Sequence, residues 1–170
     1  MPAGTIAGMT SSEPLAPLGN RVTDFDFLAG SWRVHHRRRP APLQPGSPWV
    51  EWSGWHRGAT FFDGAISVDE TELAEPGERG LAFRTFDPAS GQWSIYWVVS
   101  RDGRLQTPPV VGHFEGGVGT FSAVEVMDGR EIGVRFTWSG IGPSSATWRQ
   151  AFSLDGGRTW DDNWVMRFER

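Results

Sequence analysis

Short aromatic and β-branched runs separated by turn residues dominate this sequence. Ten Trp and eleven Phe occur together with 22 Gly and 12 Pro among 170 residues. Large flat side chains favour strands, whereas glycine and proline mark the turns between them. The runs fall at residues 31–38, 48–57, 60–70, 80–87, 92–100, 110–115, 118–126, 130–139, 146–154 and 161–169. About ten strands in series are therefore predicted.

The residues between these runs predict how the strands pair. Asp102 and Asp128 are each followed by glycine, as tight hairpins with positive φ require. The segment 153–160 matches a single Asp-box, a pattern that we expect to brace one turn. Strands joined by hairpins pair antiparallel, and closing such a meander removes its exposed edges. We predict an all-β fold, an antiparallel up-and-down barrel of about ten strands.

The N-terminal part of the chain differs from the rest. Residues 1–20 are small, aperiodic and proline-containing, which predicts a mobile arm before a single barrel domain at 21–170. Thr23 followed by Asp26 resembles a capping box, and Gly30 is placed to end a helix. One short N-terminal helix is expected before the first strand.

Composition excludes several classes of function. The chain has no cysteine, which excludes disulfides and Cys-ligated zinc or iron–sulfur centres. Its net charge of −4 argues against a nucleic-acid partner, and the basic segment 35–39 is interpreted as a solvated strand end. His35 and His36 are neighbours that point opposite ways in a strand, so no metal is expected. Neither a membrane-spanning run nor a secretory signal is visible, so the chain is predicted to be cytoplasmic, without membrane contact and without a cofactor.

The segment 27–32, Phe-Leu-Ala-Gly-Ser-Trp, is similar to the Gly-x-Trp opening of lipocalin-like (calycin-type) barrels. That resemblance implies a short helix before the first strand, with Trp32 at the barrel floor. It also implies an arginine of the last strand, Arg167 or Arg170, packed over that tryptophan.

Further segments extend the resemblance over residues 24–170. Their order is similar to that of a bacterial family of uncharacterised calycin-type β-barrel proteins, and they are 87–93, 114–116, 135–138, 148–150 and 153–160. The resemblance implies a fold. It supplies no substrate and no catalytic residues.

Alternation within the strands predicts an aromatic barrel interior. In the run at 92–100, Trp93, Ile95 and Trp97 share one face. A barrel of eight to ten strands is either filled by its side chains or wide enough for one small ligand. The predicted ligand-binding residues are Trp52, Phe62, Arg84, Trp97, His113, Arg135, Trp138 and Trp148. Arginines of the strands form an outer stripe, or anchor a ligand where one points inward.

One carboxylate is placed by this alternation on an apolar face. Glu70 shares its face with Phe62, Ile66 and Val68, so it is predicted to point inward and to act as an acid or base near neutral pH. The faces of the run at 48–57 stay open, because Glu51 lies on one face and His56 on the other.

Three functions follow from this barrel. The first is binding of a small apolar or aromatic molecule in the interior. The second is a cofactor-free cyclase, isomerase or pericyclase, with Glu70, His56 and Tyr96 as the catalytic candidates. The third is a filled barrel that serves as an interaction module. Exposed tryptophans would indicate a homodimer face.

Overall fold

A computed structural model describes residues 19–44 and 46–170 of the chain. Ten strands follow a short N-terminal turn of 3₁₀ helix at Asp26–Leu28. They are β1 (Gly30–Arg38), β2 (Val50–Phe61), β3 (Ile66–Glu72), β4 (Arg79–Asp87), β5 (Gln92–Val99), β6 (Val110–Glu115), β7 (Val118–Met127), β8 (Arg130–Ser139), β9 (Ser145–Ser153) and β10 (Asp161–Glu169). Each strand pairs antiparallel with its neighbour in the chain, and β1 pairs with β10 to close the barrel. The predicted ten-stranded antiparallel barrel is confirmed.

The turn between β2 and β3 interrupts the run predicted at 60–70. Phe62 and Asp63 both adopt positive φ, 54° and 55°, and the Phe62 side chain is 81% exposed. The predicted inward position of Phe62 is therefore wrong, because the alternation of a strand does not continue through such a turn. The other strand bounds lie close to the predicted runs.

The predicted N-terminal helix is a single 3₁₀ turn. The capping box expected from Thr23 and Asp26 does not form, since no side chain caps this turn. The Asp24 carboxylate instead accepts hydrogen bonds from the backbone N–H groups of Gly19 and Arg21, at 3.1 and 2.7 Å. The arm predicted at 1–20 lies, apart from its last two residues, outside the described residues.

The side chains of the 3₁₀ turn close one end of the barrel, which we call the lower end. Phe25 is fully buried and packs edge to face on Trp93 and Phe114, with ring centroids 4.8 and 5.1 Å away. Gly58 of β2 allows the backbone of Leu28 to lie close to this strand, because a Cβ at position 58 would be 2.4 Å from the carbonyl oxygen of Leu28. The loops after β1, β3 and β5 lie at the opposite, upper end.

Arg170 covers the tryptophan at the start of β1. Its guanidinium carbon lies 4.0 Å from the centre of the Trp32 ring. The same side chain donates hydrogen bonds to the carbonyl oxygens of Ala29 and Pro143, both at 2.9 Å. Arg167 is exposed on the outer face of β10. Of the two expected candidates, Arg170 takes this position.

The single Asp-box forms a braced turn after β9, as predicted. Asp155 accepts hydrogen bonds from the backbone N–H and the hydroxyl of Thr159 and from the Ser153 hydroxyl. These hydrogen bonds, with that from the Thr159 N–H largest, lower the pKa of Asp155 to about 2.

Within the described ranges, no helix has the length and apolar character needed to span a bilayer.

Candidate functional site

The barrel interior contains a cavity of about 60 Å³, several times the ~10–15 Å³ that one water molecule needs. Its apolar walls are Ala82, Ile95, Trp97, Phe136, Trp138, Trp148, Trp164, Met166 and Phe168. Its polar lining consists of His56, Asp69, Thr71, Arg84, Gln106 and Gln150. Gln106 belongs to the loop after β5 and is exposed, so the cavity reaches the surface at the upper end.

Strand register brings the polar groups of β2, β3 and β4 to the interior. His56 stands opposite Thr71, and Asp69 stands opposite Ala82. Directly opposed residues of antiparallel strands lie on the same face of the sheet. All four side chains are buried, which identifies this face as the inner one.

Arg84 and Asp69 form an ion pair inside the barrel. The Arg84 Nη1 donates to Asp69 Oδ2 and, at 3.4 Å, to the hydroxyl of Ser67. The guanidinium carbon lies 4.8 Å from the centre of the Phe25 ring, so the N-terminal turn supports it from below. Arg84 is 5% exposed and Asp69 is 4% exposed. The two opposite charges leave this part of the interior close to neutral.

His56 lies next to this pair. Its Nδ1 is 3.8 Å from Asp69 Oδ1, and its ring packs edge to face on Phe168 at 5.1 Å between centroids. Burial lowers the pKa of His56, an effect that the Asp69 carboxylate opposes and the Arg84 charge adds to. The imidazole is therefore neutral at pH 7. Within the described part of the chain, its Nε2 makes no hydrogen bond.

A second buried histidine lies behind the cavity wall. His36 on β1 is fully buried and stacks on Trp52. Its Nδ1 accepts a hydrogen bond of 3.4 Å from the indole N–H of Trp164, which itself lines the cavity. Burial, followed by unfavourable electrostatic interactions with His35, His56 and Arg38, lowers the pKa of His36 to about 3. This imidazole is also neutral.

Polar side chains surround the upper opening of the cavity. Gln106 donates a 2.8 Å hydrogen bond to Glu125, and Gln150 donates one of 2.7 Å to Asn163. Burial raises the pKa of Glu125, and the hydrogen bond from Gln106 lowers it in part. The guanidinium of Arg38 lies 4.3 Å from the centre of the Trp164 ring. The opening therefore combines amides and charged groups with aromatic walls.

Four of the predicted ligand-binding residues line the cavity, namely Arg84, Trp97, Trp138 and Trp148. Trp52 also points inward, where it packs against His36.

Two further predicted ligand-binding residues lie on the outside, and those predictions are wrong. His113 is exposed because its neighbours Gly112 and Phe114 occupy the inner face of β6. Arg135 stacks on Trp160 outside β8, at 4.3 Å from the ring centre. Arg149 and Arg167 are exposed as well, as the predicted outer stripe requires.

Of the predicted catalytic candidates, only His56 lines the cavity. The predicted inward position of Glu70 is wrong: its carboxylate pairs at 2.8 Å with Arg79 on the outer surface. It points outward because Asp69 and Thr71 occupy the inner face of β3. Tyr96 is also on the outer face, beside Phe83 at 6.3 Å between ring centroids.

Sequence reasoning missed several residues of the site. They are Asp69, Thr71, Gln106, Gln150, Phe136, Met166 and Phe168. Asp69 alternates with Ser67 and Thr71 on one face of β3, but only the strand register of the structure places that face beside His56. Gln106 lies in a loop, where alternation carries no information.

Within residues 19–44 and 46–170, no cluster of three or more His, Asp or Glu side chains is suited to hold a metal ion.

Comparison with known proteins supports the fold alone. No family model matches the chain, and no curated protein matches it. A protein of unknown function from the DUF3598 family of Nostoc punctiforme matches with a TM-score of 0.54 and 14% identity, over 95% of this chain and 53% of its own length. The chain thus spans about half of that protein. The sensor domain of PknI from M. tuberculosis aligns with a TM-score of 0.34 and 13% identity, over 91% of this chain and 86% of the domain.

Proposed function

We propose that this protein binds a small molecule with an apolar or aromatic body inside the barrel. The supporting observation is the aromatic-walled cavity, which contains the buried Arg84–Asp69 pair and His56. Ligand sites are typically concave and apolar, with a few polar groups that fix orientation. The aromatic walls would hold the body of the ligand, and the buried polar group would orient its polar end.

We also propose that the barrel is of the calycin type. Support comes from the short turn that precedes β1 and from Trp32 near the lower end. The position of Arg170 over the Trp32 ring adds to this support. The match to the DUF3598 protein agrees with the fold, without naming a ligand.

Native mass spectrometry tests the binding proposal first. A small molecule that copurifies would add mass to the native protein, and denaturation would remove that mass. Saturable quenching of tryptophan fluorescence by toluene provides a second measurement, because Trp97, Trp138 and Trp148 line the cavity.

A cavity-filling variant separates interior binding from surface binding. Ala82 is buried and lines the cavity, so Ala82→Leu should remove retained mass and toluene quenching alike. Ala74 is exposed, and Ala74→Leu should behave as wild type. Binding that persists unchanged in Ala82→Leu would contradict an interior site.

A second function, catalysis without a cofactor, is favoured by the environment of His56. A neutral imidazole next to a carboxylate can accept a proton, and the carboxylate stabilises the imidazolium that forms. Here Asp69 would supply that carboxylate, with Nδ1 3.8 Å from it. The chemistry that fits is proton removal from an enolisable carbon of a bound substrate.

Deuterium exchange tests this second function without knowledge of the substrate. Acetophenone in D₂O would lose methyl proton signal in the NMR spectrum faster with protein than without it. The exchange should disappear in His56→Phe and persist in His113→Phe, because His113 is on the outer surface. Equal exchange in both variants would contradict a role for His56.

A further inference from the structure

The last residue of β1, Arg38, lies on the inner face of the barrel at the upper end. In the register of β1 with β10 it stands opposite Trp164, a buried residue that lines the cavity. Directly opposed residues of antiparallel strands share a face of the sheet. Arg38 also continues the inner series of Val34 and His36, which are both buried. It therefore extends the aromatic wall of the cavity towards the upper opening.

The guanidinium of Arg38 stacks on this wall and keeps its donors available. Its central carbon lies 4.3 Å from the centre of the Trp164 ring, a cation–π contact that holds the group at the opening. The side chain is partly exposed. A guanidinium carries five N–H donors in its plane, has no acceptor and stays charged in proteins. Stacking on an aromatic face leaves these in-plane donors free to meet an anion.

The two arginines that flank Arg38 in the chain are paired, whereas Arg38 is not. Arg37 lies 3.4 Å from the carboxylate of Glu51, and Arg39 lies 2.7 Å from that of Asp161. Among residues 19–44 and 46–170, no carboxylate lies within 4.0 Å of the Arg38 nitrogens. The inward-facing arginine is thus the one that lacks a carboxylate partner in this part of the chain.

Two charged residues of the upper loops act on Arg38 from a distance. Burial lowers the pKa of Arg38, the Glu78 carboxylate opposes this effect, and the charge of Arg101 adds to it. Glu78 itself pairs with Arg101 at 3.0 Å. Two arginines and one glutamate leave one net positive charge here, in a chain whose net charge is −4. Charges that are partly removed from water are normally paired, so one negative charge on a ligand would complete this group.

Building on the proposed binding function, we infer that the ligand is an arylalkanoate, with one carboxylate joined by a short chain to its aromatic body. The body lies in the cavity, and the carboxylate accepts hydrogen bonds from Arg38 at the upper opening. Arginine and carboxylate match in planar geometry, and their charge-assisted hydrogen bonds are stronger than neutral ones. The chain is needed because Arg38 does not itself line the cavity and adjoins it only through Trp164.

Three probes with the same ring and chain test this inference by isothermal titration calorimetry at pH 7.5. They are 4-phenylbutyrate, 4-phenylbutyramide and 4-phenylbutylamine. At this pH the first is an anion and the third is a cation, because carboxyl and amino groups titrate near about 4 and about 10. We expect the anion to bind at least about tenfold more tightly than the amide or the amine.

Arg38→Met assigns this preference to the guanidinium. Methionine keeps an apolar side chain over Trp164, so the amide should bind as it does to wild type. The preference for the anion over the amide should fall below about threefold. Arg33→Met is the matched control, because Arg33 is exposed on the outer face of the same strand, and it should keep the wild-type preference. Equal loss of the preference in both variants would overturn the assignment to Arg38.

A change at Glu78 tests the role of charge independently if Arg38→Met does not fold. Glu78→Gln removes the carboxylate that acts on Arg38, so it should strengthen binding of the anion by at least about threefold with the amide unchanged. Glu75 lies in the same loop and is exposed, and Glu75→Gln should leave both affinities as in wild type. Unchanged binding of the anion in Glu78→Gln would contradict an anion site beside Arg38.

The outcomes separate the inference from the function on which it rests. Equal affinity for the anion and the amide, or tightest binding of the amine, would overturn the carboxylate inference and leave interior binding in place. Binding of all three probes that persists unchanged in Ala82→Leu would show that the ring is not in the cavity, and would overturn the inference and the proposed function together. Failure of all three probes to bind would do the same.

Discussion

The imidazole of His36 lies parallel to the indole of Trp52, with ring centroids 4.5 Å apart and planes 6° apart. The indole N–H of Trp164 points at the Nδ1 of the same imidazole. A second proton on His36 would remove this acceptor and place a charge inside the barrel. The native packing therefore requires neutral His36.

The folded chain should become less stable as the pH falls, because it disfavours protonation of His36. Its pKa is about 3 in the folded chain against 6.5 for an unperturbed histidine. The unfolded chain thus binds more protons between these values. The stabilising contribution of neutral His36 is therefore complete above pH 6.5 and is lost as the pH falls towards 3. Between these two values, we expect the free energy of unfolding in urea to decrease by roughly 1 kcal/mol per pH unit from His36 alone.

A variant isolates this contribution from other titrating groups. His36→Phe keeps an aromatic ring on Trp52 and has no titrating proton. The decrease in unfolding free energy between pH 7.5 and 5.5 should be smaller in His36→Phe than in wild type by roughly 1 kcal/mol. An unchanged pH dependence would show that His36 is not held neutral in the folded chain.

Loss of one partner of the interior ion pair should be strongly destabilising. Asp69→Asn leaves the Arg84 guanidinium buried without its carboxylate, which costs about 3–5 kcal/mol. Urea unfolding measures this loss. Replacing both partners, as in Asp69→Leu with Arg84→Met, should cost less than Asp69→Asn alone, because no unpaired charge remains.

The neighbouring carboxylate of β3 provides the matched control for this ion pair. Glu70 pairs with Arg79 at the surface, where water screens both charges. Glu70→Gln should change the unfolding free energy by less than about 0.5 kcal/mol. If Glu70→Gln and Asp69→Asn lowered the unfolding free energy by similar amounts, the placement of Asp69 inside the barrel and Glu70 outside it would be contradicted.

A methyl group at Gly80 should disturb the cavity wall. The Cβ of an alanine there would lie 2.0 Å from the Trp97 ring, so the indole must move. We expect Gly80→Ala to cost about 1–3 kcal/mol and to shift the tryptophan emission spectrum. Gly142→Ala has only ordinary contacts, the nearest at 3.5 Å, and should leave the spectrum unchanged.

Arg170 should stabilise the lower end through its stack and its two hydrogen bonds. Arg170→Ala is expected to cost about 1–3 kcal/mol in urea unfolding. Arg167→Ala on the outer face should cost less than about 0.5 kcal/mol. Equal effects would argue that the Arg170 contacts with Trp32 contribute little.

The barrel could be predicted because local chemistry and global topology agree in this chain. Asp-Gly turns and aromatic alternation both specify sequential antiparallel strands. In β5 the face of Trp93, Ile95 and Trp97 is indeed the inner one.

The site was harder to predict because polarity does not mark the inner face of β3. Its inner side chains are Ser67, Asp69 and Thr71, whereas the apolar Ile66 and Val68 face outward. The positive charge of the buried Arg84 on β4 balances the negative charge of Asp69. The sequence of either strand alone does not reveal such an ion pair, because the pairing depends on the register between the two strands.

Packing of the 3₁₀ turn into the lower end also sets the route by which a ligand of the proposed kind would exchange. Phe25, Phe27 and Leu28 are all buried there, so such a molecule would enter and leave through the Gln106 end. Association and dissociation would then use the same opening. Loss of the Gln106 contact with Glu125 should therefore accelerate association and dissociation together.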